Sequence, residues 1–113
     1  MNIIDDINIL EKNLIGGVFM IKHIVMWKFK ENEEENMRKF LNGLNSLKNI
    51  IPEIKYMETG ININPKNEFD AILISEFETF DDLESYKNNP EHIKVSELCK
   101  NIRLDRQAID YEV

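Results

Sequence analysis

The order of two hydrophobic periodicities limits the fold of this chain more than any other feature of its sequence. Residues 21–29 (IKHIVMWKF) alternate in character, which is typical of a β-strand with one buried face. Residues 31–51 then place apolar side chains at steps of three and four, which predicts an amphipathic helix that ends before Pro52. The buried strand face is apolar apart from one histidine, and its members are Ile21, His23, Val25, Trp27 and Phe29.

Further strands and a second helical region complete the order β-α-β-β-α-β. This order is typical of the α+β class with a ferredoxin-like sheet whose helices cover one face. Ile72 and Ile74 make the opposite face of the sheet partly apolar, so that face needs a partner. A second copy of the chain is the most economical partner, and we expect a homodimer in which two sheets close into an α/β barrel. The predicted strands span residues 54–63, 69–78 and 102–113, and the helical region spans residues 79–101.

The second helical region contains two signals for a helix start. Thr79, with Asp82 three residues later, has the residue types of a capping box. Asn89-Pro90 predicts a restart, with asparagine as the N-cap and proline at the first helical position. His92 is then the third residue of a helix, close to the positive end of the dipole, where the pKa of an imidazole is lowered.

Residues 1–19 precede the regular pattern, and we interpret them as an N-terminal extension to a domain over residues 20–113. Apolar residues at helical spacing between positions 3 and 14 predict a short helix that Gly16-Gly17 would end. In the alternative interpretation the leader is mis-assigned and disordered, and Met20 is the natural start. Gly-Gly three codons before Met20 is what a purine-rich ribosome-binding site would encode in frame. Acidic residues inside the leader argue against a signal peptide.

Composition excludes several classes of partner. Acidic residues outnumber basic ones by 21 to 14, which gives a net charge of −7, whereas nucleic-acid binding needs a basic face. The sequence contains no apolar run of the roughly 18 residues that a membrane span needs, so we expect no membrane partner. The single cysteine, Cys99, cannot form an internal disulfide, which favours a reducing compartment and a cytoplasmic location. Its apolar neighbours indicate a structural thiol.

Metal and cofactor chemistry is also not expected. The two histidines and one cysteine lack the spacing of a zinc site. The acidic run ENEEE at residues 31–35 is typical of a solvated helix start and lacks the glycine of a calcium loop. No glycine-rich phosphate loop occurs, so we expect no nucleotide cofactor.

Four segments of the chain together carry a family resemblance: MIKHIVMWKFKENEEE, NIIPEIKYMETGININP, YKNNPEHIKV and the terminal DYEV. They resemble the stress-responsive dimeric α/β-barrel family, called Dabb. The resemblance covers residues 20–113 and implies the dimeric ferredoxin-like barrel that the periodicity also predicts. It implies a role in the stress response, and we expect a small, largely apolar ligand in a cleft between the sheet and the helices.

The resemblance also implies site residues. One characterised relative, the polyketide cyclase olivetolic acid cyclase, uses a tyrosine–histidine pair in its cleft for an intramolecular aldol condensation. The matching positions are Tyr86 and His92, the candidate catalytic residues. The chain departs from that cyclase at Ala71, which replaces a histidine, and at Leu44, which replaces a tyrosine. The expected lining of the ligand cleft is His23, Trp27, Ala71 and Leu44.

Three functions follow as hypotheses. The first is a Dabb homodimer that binds a small apolar molecule, with no assigned activity. The second is a cofactor-free enzyme of the cyclase or lyase type, in which neutral His92 acts as general base and Tyr86 orients it or donates to an enolate oxygen. The third, cofactor-independent monooxygenase chemistry, rests on analogy of fold alone. A purely structural role for His92, bonding to nearby backbone, competes with the second hypothesis.

Overall fold

The structure is a computed structural model that describes residues 20–113. The predicted extension over residues 1–19, with its alternatives of a short helix and a start at Met20, lies outside the described residues. The elements, in chain order, are β1 (Ile21–Phe29), α1 (Glu34–Ser46), a 3₁₀ turn (Leu47–Asn49), β2 (Tyr56–Ile61), β3 (Ala71–Phe77), α2 (Phe80–Asn88), α3 (Pro90–Lys100) and β4 (Arg103–Glu112).

The strands form one antiparallel sheet in the order β2-β3-β1-β4. In the middle of the sheet, His23 of β1 lies opposite Ser75 of β3 on one side and Asp110 of β4 on the other. Four residues further along β1, Trp27 lies opposite Ala71 of β3. The predicted element order and the ferredoxin-like sheet are therefore confirmed.

The hydrophobic core lies between one face of the sheet and the helices. Strand β1 buries Val25, Trp27 and Phe29 on that face, as its alternation predicts. Helix α1 approaches α3 closely at Gly43, where a Cβ atom would lie 3.1 Å from a methyl carbon of Val95. The apolar positions predicted from the three- and four-residue spacing are all buried: Met37, Phe40, Leu41, Leu44, Leu47 and Ile51.

Helix α1 is shorter than the periodic segment that predicts it. Asn32 adopts the left-handed conformation with φ 65°, which asparagine tolerates better than most residues. This conformation prevents the helix from beginning before Asn32. Glu34 and Glu35 then occupy the first turn, where carboxylates interact favourably with the helix dipole. At its other end the helix tightens into the 3₁₀ turn before the chain reaches Pro52.

The helix starts that position the candidate site have the predicted caps. The Asp82 backbone N–H donates to the Thr79 hydroxyl at 3.0 Å, which caps α2. The Glu91 backbone N–H donates to the Asn89 side-chain oxygen at 2.9 Å, which caps α3. Pro90 occupies the first position of α3, so His92 is its third residue and points back toward α2.

The opposite face of the sheet carries apolar side chains that none of the described helices covers. Ile24 of β1 and Ile109 of β4 are paired in register there, and Ile109 is 61% exposed. Met26 and Tyr56 add further exposed apolar surface to the same face. No helix in residues 20–113 is long and apolar enough to cross a membrane.

Candidate functional site

Tyr86 projects from α2 into the space between the helices and the sheet. Its side chain is 0% exposed, and its ring packs against those of Phe77 and His92, with centroids 5.1 Å and 4.4 Å away. The hydroxyl is buried without a hydrogen-bond partner among the described residues, although buried hydroxyls are almost always bonded. Burial raises the pKa of the Tyr86 phenol, so the group stays neutral and remains a donor.

His92 presents one defined tautomer when it is neutral. Its Nδ1 donates to the Lys87 backbone carbonyl at 3.1 Å, and because a carbonyl can only accept, the proton resides on Nδ1. The lone pair is then on Nε2, which has no hydrogen-bond partner within residues 20–113. Burial lowers the pKa of His92, and the hydrogen bond to Lys87 offsets part of that effect. The direction agrees with the prediction from the helix dipole, but burial is the main cause.

The relation between Tyr86 and His92 differs from the expected one in one respect. If Tyr86 orients His92, as one of the hypotheses from the sequence states, its phenol should form a hydrogen bond with the imidazole. Instead the two rings pack at an interplanar angle of 48°, and the hydroxyl does not bond to the imidazole. The reason is local, because the Lys87 carbonyl occupies one nitrogen of His92 and fixes the orientation of its ring. The two polar groups therefore remain free for a third molecule.

His23 forms the third corner of the site, on strand β1. It is buried, and its Nδ1 donates to the Asp110 carboxylate of β4 at 2.5 Å. Its ring lies edge-on to that of Tyr86, with centroids 6.4 Å apart. Burial lowers the pKa of His23, while the hydrogen bond and the charge of Asp110 act in the opposite direction. Asp110 also lies 3.9 Å from Lys87 Nζ, which links the strand to the end of α2.

The three side chains border a cavity of about 60 Å³ between sheet and helices. Liquid water occupies about 30 Å³ per molecule, so the cavity has room for a few heavy atoms. Trp27 and Leu44, both predicted lining residues, form part of its wall. The apolar wall as a whole comprises Val25, Trp27, Phe40, Leu44 and Leu73, and the polar wall comprises His23, Tyr86, His92, Ser96, Cys99, Arg103 and Arg106.

Ala71 is the predicted lining residue that the structure places elsewhere. It is buried on the helix-facing side of β3, but it borders a depression near the loop between β2 and β3 and not the cavity. Ala71 is opposite Trp27, four positions along β1 from His23, and a single methyl group is too short to reach the cavity from there. The structure therefore does not bring Ala71 together with the other predicted lining residues.

Sequence analysis missed several side chains of the site, and the three charged ones among them all come from β4. The sequence could have indicated Asp110, because this residue precedes Tyr111 in the terminal DYEV segment. Antiparallel pairing of the final strand with β1 then brings it opposite His23. Arg103 and Arg106 are three residues apart, so a regular strand would place them on opposite faces. A register shift beside Lys28 and Phe29 aligns both with the helix-facing side. No signal in the sequence locates that irregularity.

The remaining candidates contribute no separate chemistry. Cys99 is buried, and burial raises the pKa of its thiol, which agrees with the predicted structural role. Within residues 20–113, no group of three or more histidine, cysteine or acidic side chains is placed to bind a metal ion. Among the depressions larger than this cavity, two of about 530 and 440 Å³ lie at the loop between β2 and β3 and beside the start of α1. Neither contains a histidine or a tyrosine.

Comparison with known proteins defines the class to which this fold and cleft belong. Residues 21–113 match Dabb, the stress responsive A/B barrel domain. The chain therefore belongs to the Dabb family. A relative from Arabidopsis thaliana, the stress-response A/B barrel domain-containing protein DABB1, is 24% identical over 98 residues. The match covers 81% of this chain and 46% of that relative, so the chain spans about half the relative's length.

Solved structures are similar over nearly the whole described region. A dimeric protein of unknown function with a ferredoxin-like fold, from Bacteroides fragilis, has a TM-score of 0.79 at 30% identity, covering 83% of this chain and 96% of that one. A hydroxynitrile lyase from Passiflora edulis has a TM-score of 0.74 at 18% identity, covering 83% of this chain and 93% of that one. The second likeness is one of fold alone.

Proposed function

We propose that the protein functions as a homodimer in which the open faces of two sheets pack together. The uncovered side chains on that face, among them Met26 and Ile109, support this arrangement, because apolar surface of this kind is usually buried against a partner. The dimeric Bacteroides fragilis protein, similar in fold and 30% identical, gives further support. The buried, unpaired Cys99 fits a reducing compartment such as the cytoplasm.

We further propose that each subunit binds a small molecule in the cleft between its sheet and helices. The Tyr86 hydroxyl carries this proposal, since it is a fully buried donor without a partner and it faces a cavity. Leaving such a group unbonded costs about 1–3 kcal/mol, which a ligand oxygen that accepts from it would offset. The apolar part of the ligand would contact Phe40 and the two predicted lining residues Trp27 and Leu44.

Thermal unfolding in the presence of small ketones and aldehydes tests the binding proposal. Their carbonyl oxygens can accept from Tyr86, so at least one of them should raise the Tm of the wild-type protein. The Tyr86→Phe variant removes only the hydroxyl and should lose that response. Tyr56→Phe makes the same chemical change on the opposite face of the sheet and should keep it. An unchanged ligand response in Tyr86→Phe would contradict the proposal.

A second candidate function is cofactor-free proton transfer, of the cyclase or lyase type. The free Nε2 of His92 favours it, because a neutral imidazole with one committed tautomer can act as a general base. In such a step Nε2 would take a proton from the carbon next to a carbonyl. The electrons of that C–H bond would move to the carbonyl oxygen, and the Tyr86 hydroxyl would stabilise the resulting enolate. A lyase with this fold, from Passiflora edulis, is compatible with this candidate.

Deuterium exchange of acetone in D₂O tests the proton-transfer candidate without knowledge of the natural substrate. NMR should detect faster loss of the methyl proton signal with the wild-type protein than with buffer alone. His92→Ala should remove the acceleration, and general-base contributions of about 10²–10⁴ set the expected size. Lys94→Gln, two residues further along α3 at an exposed side chain that pairs with Glu91, is the matched control. Equal rates for His92→Ala and wild type would leave binding as the function.

A further inference from the structure

Two arginines of β4, Arg103 and Arg106, lie at the solvent-exposed edge of the cavity, which we call the mouth of the cleft. No pattern in the sequence predicts either of them as a site residue. We propose that the cleft selects small molecules that carry a carboxylate, and that Arg103 and Arg106 bind that carboxylate. The inference rests on the proposed function, since it assigns a ligand class to the same cavity. It also modifies the expectation of a largely apolar ligand, because it adds an anionic group at one end.

The irregular pairing of β4 places both guanidinium groups at this cavity. Arg106 lies opposite Trp27 and Arg103 opposite Phe29, on the helix-facing side of the sheet. Both arginines border the cavity that Tyr86 and His92 also border. The positive charge of Arg106 acts to lower the pKa values of Tyr86, His92 and His23, as expected of a cation close to all three side chains.

Both guanidinium groups lack an acidic partner in the described part of the chain. No carboxylate within residues 20–113 lies within 4.0 Å of either one, whereas Arg38 pairs with Glu34 at 3.0 Å. This is unexpected in a chain where acidic residues outnumber basic ones by 21 to 14. A guanidinium group carries its positive charge whether or not it has an acidic partner.

The acidic side chains nearest in sequence are engaged by other groups. The Asp105 carboxylate accepts from the Arg106 backbone N–H at 2.8 Å and from the Gln107 amide at 3.4 Å. The Asp110 carboxylate accepts from His23 and lies near Lys87. Neither carboxylate therefore neutralises the two guanidinium groups, and the mouth of the cleft retains positive charge.

The planar N–H donors of a guanidinium group match the oxygens of a carboxylate or a phosphate, and the carboxylate is the smaller of the two, which suits a cavity of about 60 Å³. A ligand whose carboxylate lies against the arginines would extend its apolar part toward Trp27 and Leu44 and an oxygen toward Tyr86. The arginines are also exposed and have long, flexible stems, so the cavity of about 60 Å³ can widen on their side. The structure thus assigns the ligand an apolar body and an acidic end.

A matched pair of probes separates charge from shape. Pentanoate and pentanamide have the same size, and only pentanoate is an anion. Trp27 is the single tryptophan of the chain and part of the cavity wall, so its fluorescence reports binding there. Measured near pH 8.5, where the histidines are neutral, pentanoate should bind at least about tenfold more tightly than pentanamide.

Variants assign the effect to the two arginines. The double variant Arg103→Gln, Arg106→Gln should weaken pentanoate binding at least about tenfold and leave pentanamide binding unchanged. Arg38→Gln removes the same charge from α1, away from the cavity, and should leave both affinities unchanged. The Tm of each variant shows that it is folded. Replacing both arginines by lysine should restore only part of the preference, because lysine lacks the planar fork.

Each remaining outcome counts against a defined claim. Equal binding of pentanoate and pentanamide would overturn the carboxylate assignment and leave the proposed binding function intact. A pentanoate preference that survives in the double variant would overturn the assignment of Arg103 and Arg106. Absence of any Trp27 response to either probe would contradict both this inference and the proposed function.

Discussion

At the scale of single residues, the cleft contains polar atoms that have no hydrogen-bond partner among the described residues. The Tyr86 hydroxyl is buried without a partner, and the Nε2 atoms of His23 and His92 have none within the described residues. Each ring instead commits its Nδ1 to an acceptor on a neighbouring element, Asp110 for His23 and the Lys87 carbonyl for His92. The side chains that carry these polar atoms all border the same cavity, which supports the proposed binding site.

Tyr86→Phe should show that the hydroxyl does not stabilise the empty protein. Because the variant removes a desolvated group without a partner, the free energy of unfolding should stay equal or rise by up to about 1–3 kcal/mol. Urea unfolding measures it, with Tyr56→Phe as a control expected to change by less than about 0.5 kcal/mol. A loss of more than about 1 kcal/mol in Tyr86→Phe would mean that the hydroxyl has a partner in the folded protein.

Acid should destabilise the fold through the two histidines. Burial lowers the pKa values of His23 and His92, so below about pH 6.5 the unfolded chain binds more protons than the folded one. The free energy of unfolding should therefore decrease as the pH falls through this window. The slope should be at most about 1.4 kcal/mol per pH unit for each histidine.

Urea unfolding between about pH 5 and pH 7 measures this slope, in a range where most carboxylates stay ionised. The His92→Gln variant should show a smaller slope, because one of the two groups no longer titrates. A stability that does not change over this range would contradict the buried, neutral state assigned to both rings.

The sequence predicts the site unevenly at this scale. His23, Trp27, Leu44, Tyr86 and His92 all border the cavity, because strand alternation and helix spacing decide which way their side chains point. Ala71 does not border the cavity, because its methyl group is too short. Strand alternation predicts the direction of a side chain but not how far it reaches. The roles of these residues stay predictions until variants are measured.

At the scale of the elements, the break between helices α2 and α3 positions the residues of the candidate site. Asn89 ends α2 in an extended conformation, with φ −64° and ψ 131°, and its side chain caps α3. The break turns the helix so that His92, six residues after Tyr86, stacks on the tyrosine ring. Asparagine and proline in sequence predict this break, because each favours a helix start for a separate reason.

Asn89→Ala should loosen α3 and with it His92. Loss of the cap should lower the free energy of unfolding by about 1 kcal/mol, within a range of about 0.5–2. Asn88→Ala is the matched control, since Asn88 is exposed at the end of α2, and should change stability by less than about 0.5 kcal/mol. Urea unfolding compares the two variants, and equal stabilities would show that the Asn89 cap is not needed.

Strand β4 shows what periodicity does not predict. The final strand itself is evident from its composition and its place after a helix. Its register shift beside Phe29 depends on how it pairs with β1, a contact between residues more than seventy positions apart. The shift turns Arg103 and Arg106 toward the same cavity, so the charge at the mouth of the cleft is visible only in three dimensions.

At the scale of the whole molecule, the two faces of the sheet have different roles. The helix-facing side contains the core and the cleft, and the opposite side leaves apolar residues in contact with solvent. A small domain buries a modest share of its surface alone, so the proposed second subunit would add stability by covering the apolar face. The sequence predicts this division through the partly apolar second face of β3.

Ile109→Asp should convert the dimer into monomers, because it introduces a charge beside Ile24 on the open face of the sheet. Leu98→Asp is the matched control, since Leu98 is 50% exposed on α3 and Ile109 is 61% exposed on β4. Light scattering after size-exclusion chromatography should give a monomer mass for Ile109→Asp and a dimer mass for Leu98→Asp. Dimers in both variants would mean that another surface forms the interface.

Native mass spectrometry of the purified wild-type protein and of Tyr86→Phe tests the central claim most directly. The account predicts a wild-type dimer with a reproducible small-molecule adduct, and a Tyr86→Phe dimer without it, because the hydroxyl is the donor that the ligand accepts from. The adduct mass would also show whether the ligand can carry a carboxylate. A monomer, a wild-type dimer without an adduct, or an adduct equally retained by Tyr86→Phe would contradict the account.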